Sequence, residues 1–141
     1  MFISTLEIFK IGLGPSSSHT MGPMLAANDF RLRVASYLSD AVTAQSGLIG
    51  SNSLPRIQCI LKGSLSFTGL GHGTDRAIMF GLNGYSCESL ISVDIDCLAK
   101  RLLSQPCLVI SPTLKVNFDA DSDIIFDKGL ALKEHPNGMV F

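Results

Sequence analysis

The chain has 141 residues, enough for one domain with its own core. Eleven Lys and Arg against twelve Asp and Glu give a net charge of −1, so no basic field exists to grip a phosphate backbone and nucleic acid is not expected as a partner. A composition 46% hydrophobic and 16% charged is that of a folded protein, and no apolar run approaches the roughly 20 residues a bilayer span needs.

Phe2 to Ile11 is apolar with helical spacing, Leu6, Phe9 and Leu13 falling near one face. Glu7 and Lys10 interrupt it and no small-residue cleavage site follows, so it is not a secretion signal and a cytoplasmic location is expected. The small-residue loop Gly12 to Thr20 comes next, then a helix with Thr20 as cap and Pro23 in its first turn. Leu25, Phe30, Val34 and Leu38 form its apolar stripe, and it is expected to end near Ser39-Asp40. Gly47 to Pro55 reads as loop, Ile57 to Lys62 as a strand, and Leu65 to Thr68 as a second strand completing a hairpin across Gly63-Ser64. Gly69 to Gly73 is a glycine-rich loop that opens a helix capped by Thr74 and running to Gly84. A further helix is predicted over Asp94 to Ser104, with acids at its start and Lys100 and Arg101 near its end. Leu108 to Ile110, Leu114 to Phe118 and Asp123 to Phe126 read as strands, and the apolar end Met139-Val140-Phe141 reads as a strand cut short. Helices and strands do not alternate regularly, so the fold class expected is α+β, a mixed sheet with helices packed on it.

The first chemical signal is Ser16-Ser17-Ser18-His19-Thr20 at a helix start. The opening N–H groups of a helix lack internal partners and favour an anion, so this loop suits a small carboxylate or phosphate; a plain capping loop is the simpler alternative. The second is Gly71-His72-Gly73-Thr74-Asp75, against a tight turn with a capping Thr. A dinucleotide fingerprint at Gly69-Leu70-Gly71 fails on the position of its third glycine. The third signal is Glu134-His135-Pro136-Asn137-Gly138-Met139, against simple turn chemistry. All three histidines sit in these three loops, beside Gly, Ser or Asn, which favours one composite site. Asp119 to Asp123 imitates a calcium loop, but Ile124 stands where Gly is needed and Leu130 where Glu is needed; it reads as a solvated acidic turn. Cys59, Cys87, Cys97 and Cys107 form no CxxC pair and no zinc spacing, and read as buried free thiols of a reducing cytosol.

Gly14-Pro15-Ser16-Ser17-Ser18-His19-Thr20, Met21-Gly22-Pro23-Met24, Gly63-Ser64-Leu65-Ser66, Gly71-His72-Gly73-Thr74-Asp75 and His135-Pro136-Asn137-Gly138-Met139 together resemble the β domain of bacterial iron–sulfur L-serine dehydratases. Phe9 to Gly14 and Met21 to Met24 resemble the single-chain type. The resemblance implies one β domain over residues 1–141, truncated at its C-terminal end, with a fold similar to the small-effector-binding domain of phosphoglycerate dehydrogenases. It implies conversion of L-serine to pyruvate and ammonia with a [4Fe–4S] cluster, held by an α domain absent from this chain, whose iron acts as Lewis acid toward the substrate hydroxyl. Ser16, Ser17, Ser18 and Thr20 match the loop that grips the substrate carboxylate. His19 and His72 match the catalytic histidines, either of which can be the base. His135 and Asn137 match a third, substrate-contacting loop. Expected partners are L-serine, the α domain and a second copy of the chain, with no membrane; the fragment alone is expected to be inactive. Ala41 to Arg56 is longer than usual for the family, and none of the four cysteines matches a cluster ligand, so no metal site is carried onto this chain. Two other readings remain: a regulatory module that binds a small carboxylate or anion without catalysis, and a dimerisation domain.

Overall fold

A computed structural model describes residues 13–14, 16–44, 54–112 and 114–141; the expected helix at Phe2 to Ile11 and most of the loop from Gly47 lie outside them. A wide π-helical turn, Ser17–Met21, runs directly into α1, Gly22–Ala44. The other helices are α2 (Ser64–His72), α3 (Thr74–Leu82), α4 (Ile95–Leu103) and the single turn α5 (Ala120–Asp123). The strands are β1 (Cys59–Gly63), β2 (Cys107–Ser111), β3 (Leu114–Asn117), β4 (Ile124–Asp127) and β5 (Asn137–Val140). The α+β expectation holds.

β1 is the central strand of three, parallel to β4 and antiparallel to β5. Cys59 and Leu61 alternate with half-buried neighbours and are fully covered, as a strand with one core face requires. β2 and β3 form a separate antiparallel hairpin. Asn117 joins it to the approach of β1, giving its N–H to Pro55 O at 2.7 Å and taking that of Ile57 at 3.1 Å.

α3 is the helix around which the rest is arranged, buried at Thr74 and from Ala77 through Leu82. Ile78 and Leu82 join the core over the sheet with Ala27, Leu61 and Val116, while Ala77, Met79 and Phe80 face a second core with Met24, Leu98 and Leu102. α1 lies hard against α3 at Gly81, where a Cβ would stand 2.2 Å from the Met24 carbonyl oxygen. Of the stripe expected on α1, Phe30, Val34 and Leu38 pack on the sheet-side core, but Leu25 faces outward, 61% exposed.

Four local expectations are corrected. Leu65 to Thr68 is helical, part of α2, because both edges of β1 are already taken by β4 and β5. Gly63, at φ +61°, turns the chain off the sheet, and Ser66 Oγ donates to its carbonyl at 2.8 Å. Leu65, Ser66 and Gly69 are then buried at helical spacing, and the helix runs on through the presumed glycine loop to His72. Thr20 and Thr74 are not the helix caps: Ser16 caps the first turn, its Oγ accepting from His19 N at 3.2 Å, and Gly73 occupies the cap position of α3. The acidic turn before β4 is present, but Asp123 is not solvated. Its carboxylate is buried and takes hydrogen bonds from Arg56 Nε at 2.7 Å, Gln58 Nε2 at 3.3 Å and Asp119 N at 2.8 Å. Burial alone would raise the Asp123 carboxyl; these donors and the Arg56 charge outweigh it and hold it below the usual carboxylate range. The cysteines are all free, yet only Cys59 is buried, its thiol pushed up to about 12 by burial, while Cys97 is exposed and Cys87 and Cys107 are half-buried.

Candidate functional site

The turn Ser17–Met21 and the α2–α3 junction are stitched together by two buried threonines. Thr20 Oγ1 donates to His72 O at 2.9 Å, and Thr74 Oγ1 donates to His19 O. Each hydroxyl thus belongs to one His-bearing segment and holds the backbone of the other. This reciprocal pair brings the His19 and His72 rings to 5.0 Å between centroids, tilted by 39°. Thr20, expected among ligand-gripping groups, stands behind the loop instead, 2% exposed and turned to protein backbone.

The two imidazoles are held differently. His72 Nδ1 lies 2.9 Å from the Thr68 carbonyl oxygen. A carbonyl only accepts, so Nδ1 carries the proton and Nε2 of the neutral ring is the free base. His19 lies between two hydroxyls, Ser18 Oγ at 2.9 Å from Nδ1 and Ser64 Oγ at 2.8 Å from Nε2. Hydroxyls give or take a hydrogen bond, so the His19 tautomer follows whichever way they turn.

Ser16, Ser17 and Ser18 line the start of the turn. Ser16 caps it and its Oγ also lies 3.4 Å from Ser18 Oγ. Ser17 and Ser18 are exposed, and their N–H groups precede the first helical hydrogen bonds, which run from Thr20 N and Met21 N back to Ser16 O at 3.1 and 3.4 Å. Two hydroxyls and the N–H groups of a helix start form a seat suited to one carboxylate.

Two grooves flank this cluster. One of about 290 Å³ is lined by His72 with Gly14, Arg76, Phe80 and Ile95 among others. The other, about 320 Å³, has Ser18 and Gly22 on one side and His135, Asn137 and Met139 on the other. The third loop therefore faces the serine loop across a groove. His135 is exposed, and its Nδ1 accepts only from Asn137 N, two residues along, at 2.9 Å.

Two groups at the site escape the sequence reading. Ser64 was visible within Gly63-Ser64-Leu65-Ser66, but a hairpin turn gives its hydroxyl no work; only the helical course of α2 turns it to His19. Arg76, on the wall shared with His72, brings a positive charge, paired at 2.7 Å with Asp96. It sits one turn into α3, where spacing alone marks it as a surface cation. Among the described residues no three His, Cys, Asp or Glu side chains gather as metal ligands, so these residues do not fit a cluster site. No helix among them is long and apolar enough to cross a membrane.

The model of the family described as serine dehydratase beta chain matches residues 4–141. The chain is 41% identical over 138 residues to the L-serine dehydratase TdcG of Escherichia coli, 35% over 139 residues to an L-serine dehydratase of Streptomyces coelicolor, and 36% over 137 residues to one of Helicobacter pylori. These alignments cover 97%, 99% and 97% of the chain but only 28%, 28% and 27% of the relatives. The chain thus spans little more than a quarter of the length of the curated relatives it matches.

Proposed function

The chain belongs to the serine dehydratase beta chain family, and from that premise we propose that it is the β domain of an L-serine dehydratase, forming the wall that holds the amino acid and takes its α-proton. The observation that carries this reading is the His72 ring, with Nδ1 fixed as a donor by the Thr68 carbonyl and Nε2 left as a base beside a groove.

In this reading the substrate carboxylate sits on the hydroxyls and N–H groups of Ser17 and Ser18, with Ser16 shaping the turn and Thr20 holding it to His72. His72 Nε2 removes the α-proton. The electron pair left on Cα forms the Cα–Cβ double bond as hydroxide leaves Cβ, giving an enamine that tautomerises to the imine. Water then releases ammonia and pyruvate. His19 has both ring nitrogens engaged by hydroxyls, which suits it to orienting Ser18 rather than to taking the proton itself. His135 and Asn137 face Ser18, at the carboxylate seat, across the second groove. In this reading the [4Fe–4S] cluster is held by an α domain of the full-length protein. A second copy of the chain, a cytoplasmic location and a fold similar to the effector-binding domain of phosphoglycerate dehydrogenases complete the proposal.

The test is anaerobic reconstitution of the full-length protein with its cluster, assayed for pyruvate from L-serine beside the 141-residue chain. Pyruvate from the long form alone is expected. No pyruvate despite an intact cluster would overturn the dehydratase reading in favour of a small-carboxylate sensor.

A further inference from the structure

Ser64 hydrogen-bonds to two of the three loops directly and reaches the third through a single neighbour. Its Oγ meets His19 Nε2 at 2.8 Å, in the first loop. Its N–H donates to Pro136 O at 2.9 Å, between His135 and Asn137 in the third. Its carbonyl accepts from Thr68 Oγ1 at 2.9 Å, and the Thr68 carbonyl in turn accepts from His72 Nδ1. The residue before it leaves no latitude: a Cβ on Gly63 would stand 2.1 Å from that same Pro136 oxygen. The third loop therefore presses on the head of α2 exactly where the Ser64 hydroxyl leaves for His19.

We propose that Ser64 is a positioning residue, which holds the His19 ring in place against His72 and ties it to the third loop. Among the described residues the His19 ring meets two serine hydroxyls and no backbone acceptor, unlike His72. Ser18 is exposed in the short π-helical turn, whereas Ser64 is half-buried at the head of a helix packed on the sheet. Ser64 is thus the fixed end of the pair and Ser18 the adjustable one. The Pro136–Ser64 bond thus couples the position of the third loop to the His19 ring.

The catalytic part of this inference rests on the dehydratase reading; the positioning part does not. The experiment uses the full-length protein and measures, peptide by peptide, the rate at which diethyl pyrocarbonate modifies His19. In Ser64→Ala the rate at His19 rises about fivefold, the factor of a typical lost hydrogen bond, while that at His135 is unchanged, and Ser64→Thr returns it to the native rate. Ser64→Cys, which keeps the volume and weakens the bond, is the second variant should Ser64→Ala not fold. Pyruvate formation falls in parallel, on the order of tenfold to a hundredfold in kcat. A His19 rate equal to the native one in both Ser64→Ala and Ser64→Cys overturns the inference. A native protein that makes no pyruvate would instead sink the dehydratase reading, with the His19 rates still deciding on Ser64.

Discussion

The His19–His72 pair and the His135 loop carry the same sequence signature, a histidine among Gly, Ser or Asn, yet they are built to different standards. The first two are cross-tied by buried Thr20 and Thr74, and among the described residues every ring nitrogen but one, His72 Nε2, has a partner outside its own residue. His135 is exposed, and among the described residues its ring hydrogen-bonds only within its own loop. A preorganised group is worth most where it must act on a reacting atom, and an open loop is worth most where a ligand must enter. The contrast divides the site into a fixed wall and an opposing flap.

Gly63, where wall and flap meet, is the place to break that division. Gly63→Ala must place a Cβ against the Pro136 oxygen at φ +61°, and is expected to cost about 3 kcal/mol or more in urea unfolding. Asp123 tests the sheet beneath both. Asp123→Ala leaves Arg56, Gln58 and the Asp119 N–H without their shared acceptor, at about 2–3 kcal/mol. Because the native carboxyl is held below its ordinary value of 3.8, its contribution is complete above that pH and fades as pH falls through the lower native value. The stability gap between the native chain and Asp123→Asn should therefore be widest at neutral pH and narrow in acid. Thr74→Val strips the wall of one tie and strands the His19 carbonyl, at about 1–2 kcal/mol by the same measurement. His135→Ala should change stability by less than about 0.5 kcal/mol, as at any exposed site free of special contacts. A large cost there would erase the distinction between wall and flap.

Elements with a strong period or cap were legible in the sequence. Asp94 caps α4 as its acidic start implied, accepting from Cys97 N at 3.0 Å, and β2, β3 and β4 fall where their apolar runs lie. Two of the failures fall at the site. Leu65 to Thr68 is too short to distinguish strand from helix by pattern, and only the occupation of both β1 edges decides. Thr74 stands next to its true cap, Gly73, and Thr20 lies within one turn of Ser16, so local chemistry assigned them to their own helices rather than to each other's loops. The histidine loops were visible as motifs. Their convergence depends on contacts between residues 52 to 55 positions apart, which no local rule supplies.

The wall's central claim is that His72 Nε2 is the base. The direct measurement is kcat and KM for L-serine in the full-length His72→Ala enzyme, with its cluster content matched to the native protein. The account predicts a kcat about a hundredfold lower or more, with KM changed only a few-fold. A kcat within about twofold of native would contradict it and remove His72 from the chemistry.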